Sequence, residues 1–495
     1  MQPPSPPTDS SDHGFSQWHD NPTPRSERLP IKVKAGYGAG GMSDFLFLSV
    51  PLNMAMPIYA KQFGMDAGLL GVAKAIPRVM AILTDSLMGA VSDNTRSKWG
   101  RRKPFILVGA LLCALLLPFL WSPPTGAGSW GMFLYVSVFM SIYTMIYSVF
   151  FVPYQALGFE LTADYDERTR VQAWKGYISG IGFFMAPWFF WFCTLDIFPN
   201  IVSGVRWLSI VTGGVIVLGA ILTVILCKEN TATSQQPKIR LLPALALTCR
   251  NRPFMLLQGA AVFLGIAINC GSTVGFYLTL DYICGGDERF FGLLGGVGGT
   301  IANFMTYGGM ALGVWVSQHM GKRTTGTIGL GLVLLGSIAV GVFLAPRYSW
   351  LPWIDESYHP WLTIIPGVII NLGLQICNLM FSSMTADVCD EDEMSTGLRR
   401  EGAYVAVSGA FSKLMGTITL VAGGFMPFLA GYVNMASKPT TPQLEAMKWI
   451  LVGTQCVAAV AAIAFIYFYP ITRKRAEETR FVLDQRKRTA GANPA

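Results

Sequence analysis

Asp85-Ser86-Leu87-Met88-Gly89-Ala90-Val91-Ser92-Asp93-Asn94-Thr95-Arg96-Ser97-Lys98-Trp99-Gly100-Arg101-Arg102-Lys103-Pro104 decides how this chain of 495 residues is read. The stretch begins with a carboxylate inside an apolar run and ends in a basic turn, after which a second apolar run opens. A charge at membrane depth is expensive and is kept where a substrate or an ion is handled. A basic turn between two hydrophobic helices holds a helix pair to one side of a membrane. Together they imply a membrane-embedded solute carrier.

The composition agrees. Hydrophobic residues make up 52% of the chain and charged residues 13%, with a mean hydropathy of +0.44, too apolar for a soluble protein of this size. Twelve apolar stretches of spanning length lie roughly at 36–60, 67–92, 104–122, 131–158, 171–195, 205–227, 253–281, 292–318, 325–345, 361–388, 403–432 and 446–470. With the N-terminus placed in the cytoplasm, 28 of the 37 Lys and Arg fall in inner loops and tails. Six fall outside (Lys61, Arg206, Arg289, Arg347, Lys438, Lys448), and Lys74, Arg78 and Lys413 lie within spans. The positive-inside rule then puts both termini in the cytoplasm of a multi-pass cell-membrane protein. The net charge of +8 is thus a topology signal, and no nucleic-acid partner is expected.

Nine cysteines, without a C-x-x-C pair, lie mostly in apolar stretches and read as small core or lipid-facing residues. His13, His19, His319 and His359 form no metal or triad pattern. An enzyme, a cofactor and a catalytic residue are therefore not expected. Residues 1–35 are polar and Pro/Ser-rich, without a cleavable signal, and they and the charged segment 471–495 are expected to be disordered cytoplasmic tails.

An internal repeat is visible. Thr162-Ala163-Asp164 recurs as Thr385-Ala386-Asp387 at an offset of 223, and Gly89 before the basic turn recurs as Gly313 before Gly321-Lys322-Arg323 at 224. The expected organisation is an all-α membrane protein of the major facilitator fold, with twelve transmembrane helices. An N-terminal six-helix half (36–227) is joined by a cytoplasmic linker (228–252) to a C-terminal half (253–470), and the site lies between the halves.

The motifs resemble a known family, the glycoside–pentoside–hexuronide:cation symporters. The likeness rests on Asp85, Gly89, Asp93, Thr95-Arg96, Trp99-Gly100-Arg101 and Pro104, and on Pro153-Tyr154-x-Ala156-Leu157 leading to Glu160-Leu161-Thr162 and Glu167-Arg168-Thr169. A third block runs from Ala386-Asp387-Val388-x-Asp390 through Thr396-Gly397 and Arg399-Arg400-Glu401-Gly402 to Lys413. The stretch Gly100–Ile106 is also similar to sucrose transporters. The resemblance implies a secondary active transporter in which Asp85 is a cation-site carboxylate and Ser148 a hydroxyl ligand. The family's second carboxylate, one turn earlier, is matched by Ala81, which weakens a Na⁺ site at Asp85 and makes H⁺ the simpler coupling ion. The resemblance further places substrate contacts at Asp44, Phe151, Gln155 and Asn378, and matches Lys413, grouped with them, to the family lysine that links the two halves. Phe151, Gln155 and Asn378 stand where the family has a carboxylate or an aromatic ring, so galactoside specificity is not implied.

The residues themselves add to this. Lys74, Arg78 and Asp85 differ by 4 and 7 positions and lie within roughly 40° on one helical stripe, suited to a cavity wall. Lys74 either faces that cavity as a substrate contact or snorkels to the outer interface. Lys74, Arg78 and Lys413 against Asp44 and Asp85 leave one excess positive charge, which favours an acidic solute. Asp93, Arg96, Arg101, Glu160, Asp164, Arg168, Asp387, Arg399 and Arg400 sit at helix ends and are expected to form gating ion pairs on the inner side. The first reading is cation-coupled symport of a sugar, glycoside or hexuronide by a monomer among membrane lipids. A carrier of an amphipathic or anionic substrate such as a lysolipid, or a non-transporting membrane sensor, are the alternatives.

Overall fold

The structure, a computed structural model, describes residues 28–124, 126–162, 165–229, 250–269, 271–344, 358–396, 401–432 and 438–491. Each of the twelve apolar stretches is occupied by helix. In the first bundle these are α1 (Ile31–Ala55, prolonged by a π-turn, Met56–Gln62), α2 (Ala67–Asn94), α3 (Lys103–Phe119) and α4 (Ser129–Glu160). They are followed by α5 (Tyr165–Met185, continued through Ala186–Trp188 and Phe189–Cys193) and α6 (Ile201–Leu226). The second bundle holds α7 (Arg252–Asn269 and Gly271–Tyr277, ending in a π-turn, Leu278–Ile283), α8 (Glu288–Met320), α9 (Lys322–Phe343), α10 (Ile364–Thr396), α11 (Glu401–Leu429) and α12 (Thr441–Tyr467). Among the described residues nine of these are long and apolar enough to cross a membrane, and α3 is apolar but shorter. α1, which carries Lys34 and Asp44, and α8, which carries Glu288, Arg289 and many glycines, fall short in apolarity.

Two expectations change. Helix begins at Ile31, inside the segment read as a disordered tail, because Lys34 is buried in an ion pair with Glu167 of α5. Arg473–Gly491, also read as disordered, forms a further helix, α13. Ala476, Thr479 and Leu483 recur at helical spacing on its sheltered side, and Arg475 pairs with Glu391 of α10. Hydropathy could not register a charged helix whose few apolar groups dock on the bundle end.

The packing is duplicated. α1 lies against α5 and α6, α2 against α4, and α3 against α4 and α6. Six helices on, α7 lies against α11 and α12, α8 against α10, and α9 against α10 and α12. The repeat extends to the backbone. The π-turns begin at Met56 and Leu278, 222 residues apart. Each is followed by a left-handed glycine, Gly64 (φ 68°) and Gly286 (φ 90°), where any other residue would be strained. An aspartate then caps the next helix: Asp66 accepts from the Leu69 N–H, and Asp287 from those of Arg289 and Phe290.

The bundles meet where α2 crosses α11 and α5 crosses α8. At the first crossing a Cβ on Gly424 would stand 2.7 Å from the Ala67 carbonyl oxygen and 3.2 Å from Gly71 Cα, so only small residues permit the approach. At the second, Pro187 removes an N–H from the α5 ladder, and Asn303 of α8 donates to the Phe183 carbonyl four residues earlier at 2.6 Å. One end of the molecule carries Lys34, Arg101, Arg102, Lys322 and Arg475 and is termed the basic face. The end carrying Lys61, Asp196, Asp281 and Glu288 is the far face.

Candidate substrate and coupling sites

Asp44, midway along α1, is the hub of a polar cluster. Tyr147 of α4 donates its hydroxyl to Asp44 Oδ1 at 2.7 Å, Lys175 Nζ of α5 lies 3.3 Å from Oδ2, and Gln155 Nε2 lies 3.5 Å from the same oxygen. Lys175 also sits 5.1 Å above the ring of Tyr154, whose hydroxyl is fixed on the Tyr37 carbonyl. One turn further along α5, Ser179 Oγ is buried and without a hydrogen-bond partner among the described residues. Of these groups Asp44, Tyr147, Lys175 and Ser179 edge a cavity of about 770 Å³ that Phe151 also lines, its ring stacked on Tyr147 at 5.2 Å. Asp44, Phe151 and Gln155 are thus brought together as expected from sequence. Lys175 was missed: its neighbours Arg168 and Arg170 made it read as a loop charge, yet it lies well inside α5.

Asp85 occupies the junction of the bundles. Its Oδ1 accepts from Ser148 Oγ at 2.6 Å, and Thr84 Oγ1 lies 3.1 Å from the same serine oxygen. Its Oδ2 lies 3.0 Å from Lys413 Nζ of α11, a pair only partly exposed on the carboxylate side. The ammonium that pairs with it is tethered to the opposite bundle. Ala81, one turn away, offers no second carboxylate.

Lys74 and Arg78 are half-buried on α2, and the Arg78 guanidinium reaches Gly416 of α11, where a Cβ would collide with it. Among the described residues Asp44 pairs with Lys175 and Asp85 with Lys413, and neither Lys74 nor Arg78 joins an ion pair; Lys74, Arg78, Asp85 and Lys413 do not line the Asp44 cavity. Asn378 is exposed on α10 and does not line the Asp44 cavity.

The charged helix ends clasp helices within each bundle. Glu160 takes Arg101 and, at 2.7 Å, Arg102. Glu229 accepts from the backbone N–H groups of Arg101, Arg102 and Lys103 at 2.6, 2.9 and 2.9 Å, which pins the basic turn to the start of α3. Lys322 lies 2.7 Å from Asp387 in the second bundle. Arg96 is exposed and in no ion pair among the described residues. Asp164, Arg399 and Arg400 lie outside the described residues, as do the side chains of Asp93 and Arg168. In the Lys34–Glu167 clasp, burial pushes the carboxyl upward. Hydrogen bonds from Lys34, Arg170 and the Leu29 N–H outweigh it and hold Glu167 below its ordinary value of 4.5.

Contacts between the bundles follow another pattern. Lys61 pairs with Asp281 at 2.7 Å, Arg289 with Asp196 at 2.9 Å, and Gln62 donates to Glu288 at 2.6 Å, all on the far face. Deeper come Trp188 to Thr300 at 2.9 Å, Asn303 to Phe183, and then Asp85–Lys413. Among the described residues, the polar contacts joining the bundles therefore run from the far face down to Asp85. The clasps of the basic face stay within a bundle. Among the described residues the bundles are thus tied together at the far face and at mid-depth.

Comparison with known proteins places this geometry. A family model described as MFS/sugar transport protein matches residues 36–473. The inner membrane symporter YicJ of Escherichia coli (strain K12) is 34% identical over 159 residues, 32% of this chain and 34% of that one. The glucuronide carrier protein homolog of the same organism is 23% identical over 473 residues, covering 94% of this chain and 97% of its own. A crystal structure of an aspartate-to-alanine mutant of the nucleoside transporter NupG shares the fold with a TM-score of 0.62 at 13% identity, covering 88% of this chain and 99% of that one.

Proposed function

The chain belongs to the MFS/sugar transport protein family, and on that premise we propose that it carries a sugar or glycoside across the cell membrane in symport with a proton. It is an integral membrane protein of secondary transport, not an enzyme. In this reading the basic face is cytoplasmic, both termini lie there, and the described arrangement is the one open to the cytoplasm. Asp44, Gln155, Lys175 and the aromatic faces of Tyr147 and Phe151 receive the solute, an arrangement suited to hydroxyl groups on an apolar ring.

The single observation that carries the reading is the Asp85–Lys413 pair, a carboxylate of one bundle tied to an ammonium of the other. Protonation of Asp85 removes its charge, frees Lys413 and unties the bundles at mid-depth. Loss of the proton restores the tie. Binding of a cation and rearrangement are thereby linked at one carboxylate. Na⁺ wants several oxygen ligands, and among the described residues only Asp85, Ser148 and Thr84 gather here. H⁺ is therefore expected to support transport at least as well as Na⁺. The test is reconstitution into proteoliposomes with a screen of sugars, uronates and lysolipids under Na⁺ or pH gradients. Asp85→Asn should abolish uphill accumulation while leaving exchange measurable. Concentrative uptake unchanged in that variant, or strict Na⁺ dependence without proton movement, would overturn the coupling scheme.

A finer reading follows from Lys74 and Arg78. Two half-buried cations that join no ion pair among the described residues favour a solute with a negative charge, such as an acidic sugar.

A further inference from the structure

The cavity around Asp44 is built unevenly. Its charged and hydroxyl groups crowd one end, where Asp44, Lys175 and Ser179 meet. Along α1, Leu48 and Leu52 follow Asp44 at successive turns on the same stripe and are half-exposed to the cavity, 52% and 50%. Phe45 of the same stripe, Phe151 of α4 and Phe183 of α5 line the trench with them, the Phe45 and Phe183 ring centroids 4.3 Å apart. From Asp44 to Leu52 is about 12 Å at 1.5 Å per residue, longer than one sugar ring. Two polar side chains of this stretch each turn a donor into the walls. Asn53 Nδ2 donates to the Ser49 carbonyl at 2.7 Å, and Asn303 Nδ2 to the Phe183 carbonyl at 2.6 Å. Beyond the charged end the trench therefore offers apolar surface and few free donors, whereas a second sugar ring would bring hydroxyl groups that need partners.

Resting on the sugar-transport reading above, we infer that the substrate is an amphipathic glycoside, one sugar bearing a single aromatic or short alkyl aglycone, and not an oligosaccharide. The sugar sits among Asp44, Gln155, Lys175 and Ser179. The aglycone lies along Leu48 and Leu52 beneath Phe151 and Phe183. Burying a phenyl group there should tighten binding about tenfold or more over a methyl group.

The experiment is calorimetric titration of the purified full-length protein with matched series built on glucose, galactose and glucuronic acid. Each series holds the methyl glycoside, the phenyl glycoside and a disaccharide of the same sugar. The expected result is that, in the series that binds, the phenyl glycoside is at least tenfold tighter than both others. Leu52→Ser should erase most of that advantage while leaving the methyl glycoside unchanged. Leu48→Ser provides a second variant, and both positions are exposed enough to be tolerated by the fold. A disaccharide that binds as tightly as the phenyl glycoside, or a phenyl advantage untouched by both variants, overturns the inference and leaves the sugar reading standing. If no member of any series binds, the sugar reading falls and this one with it.

Discussion

At the scale of single residues, the chemistry lies in how four buried or half-buried cations are matched to two carboxylates. Among the described residues Lys175 and Lys413 are matched to a carboxylate, whereas Lys74 and Arg78 join no ion pair. Lys74→Gln should therefore weaken transport of an acidic sugar about tenfold, the loss of one favourable charge contact of roughly 1.4 kcal/mol, while a neutral glycoside is spared. Paired initial-rate measurements on the two substrates would decide it. If neutral glycosides compete fully for uptake and uronates never do, the charge argument is wrong and Lys74 snorkels. Glu167 gives a test by pH. Its carboxyl lies below 4.5, so its contribution is full above that ordinary value and is lost as the pH falls through the depressed one. Glu167→Gln leaves Lys34 buried without its counter-charge and should cost about 3 kcal/mol near neutrality. In unfolding measurements the gap to the native protein should narrow only once the pH is well below 4.5.

At the scale of helices, the positions were legible and the roles of their charges only in part. Twelve apolar stretches read from hydropathy all fall on helix, and for nine of them, among the described residues, an element long and apolar enough to cross lipid declares itself by apolar length. Asp85 was legible because a lone acid in such a stretch has no cheap explanation, and Ser148 beside it came from the family resemblance. Lys175 was not, since a lysine close to other basic residues near a helix end looks like a topology marker until the helix is seen to begin ten residues earlier, at Tyr165. Glu229 was equally silent, because its role is to accept three backbone N–H groups, and backbone partners leave no trace in side-chain pattern. The α2–α11 crossing gives a prediction at this scale. Gly424→Leu places a side chain against the Ala67 carbonyl and Gly71, and should destabilise the protein by about 1–3 kcal/mol as an overpacked contact. Thermal unfolding in detergent measures it, with Gly431→Leu unsuited as a control because its φ is 75° and Gly453→Leu, which meets no neighbour, the better one.

At the scale of the whole molecule, the asymmetry between the two faces sets what must break for the solute to change sides. Opening the far face requires separating Lys61 from Asp281 and Arg289 from Asp196. A Lys61→Cys/Asp281→Cys variant bridged by a cleavable thiol-reactive linker should stop net uptake, and reductant should restore it. Uptake that continues while bridged would show that the far face need not open. The paired π-turns carry a further implication. Met-Pro-Ile-Tyr-Ala-Lys-Gln and Leu-Thr-Leu-Asp-Tyr-Ile share no residue at matching positions, yet both wind the same way into a left-handed glycine and an aspartate. What the two halves share is a path through space, not a spelling. One turn carries a lysine and the other an aspartate, so that a symmetric pair of turns makes a complementary lock.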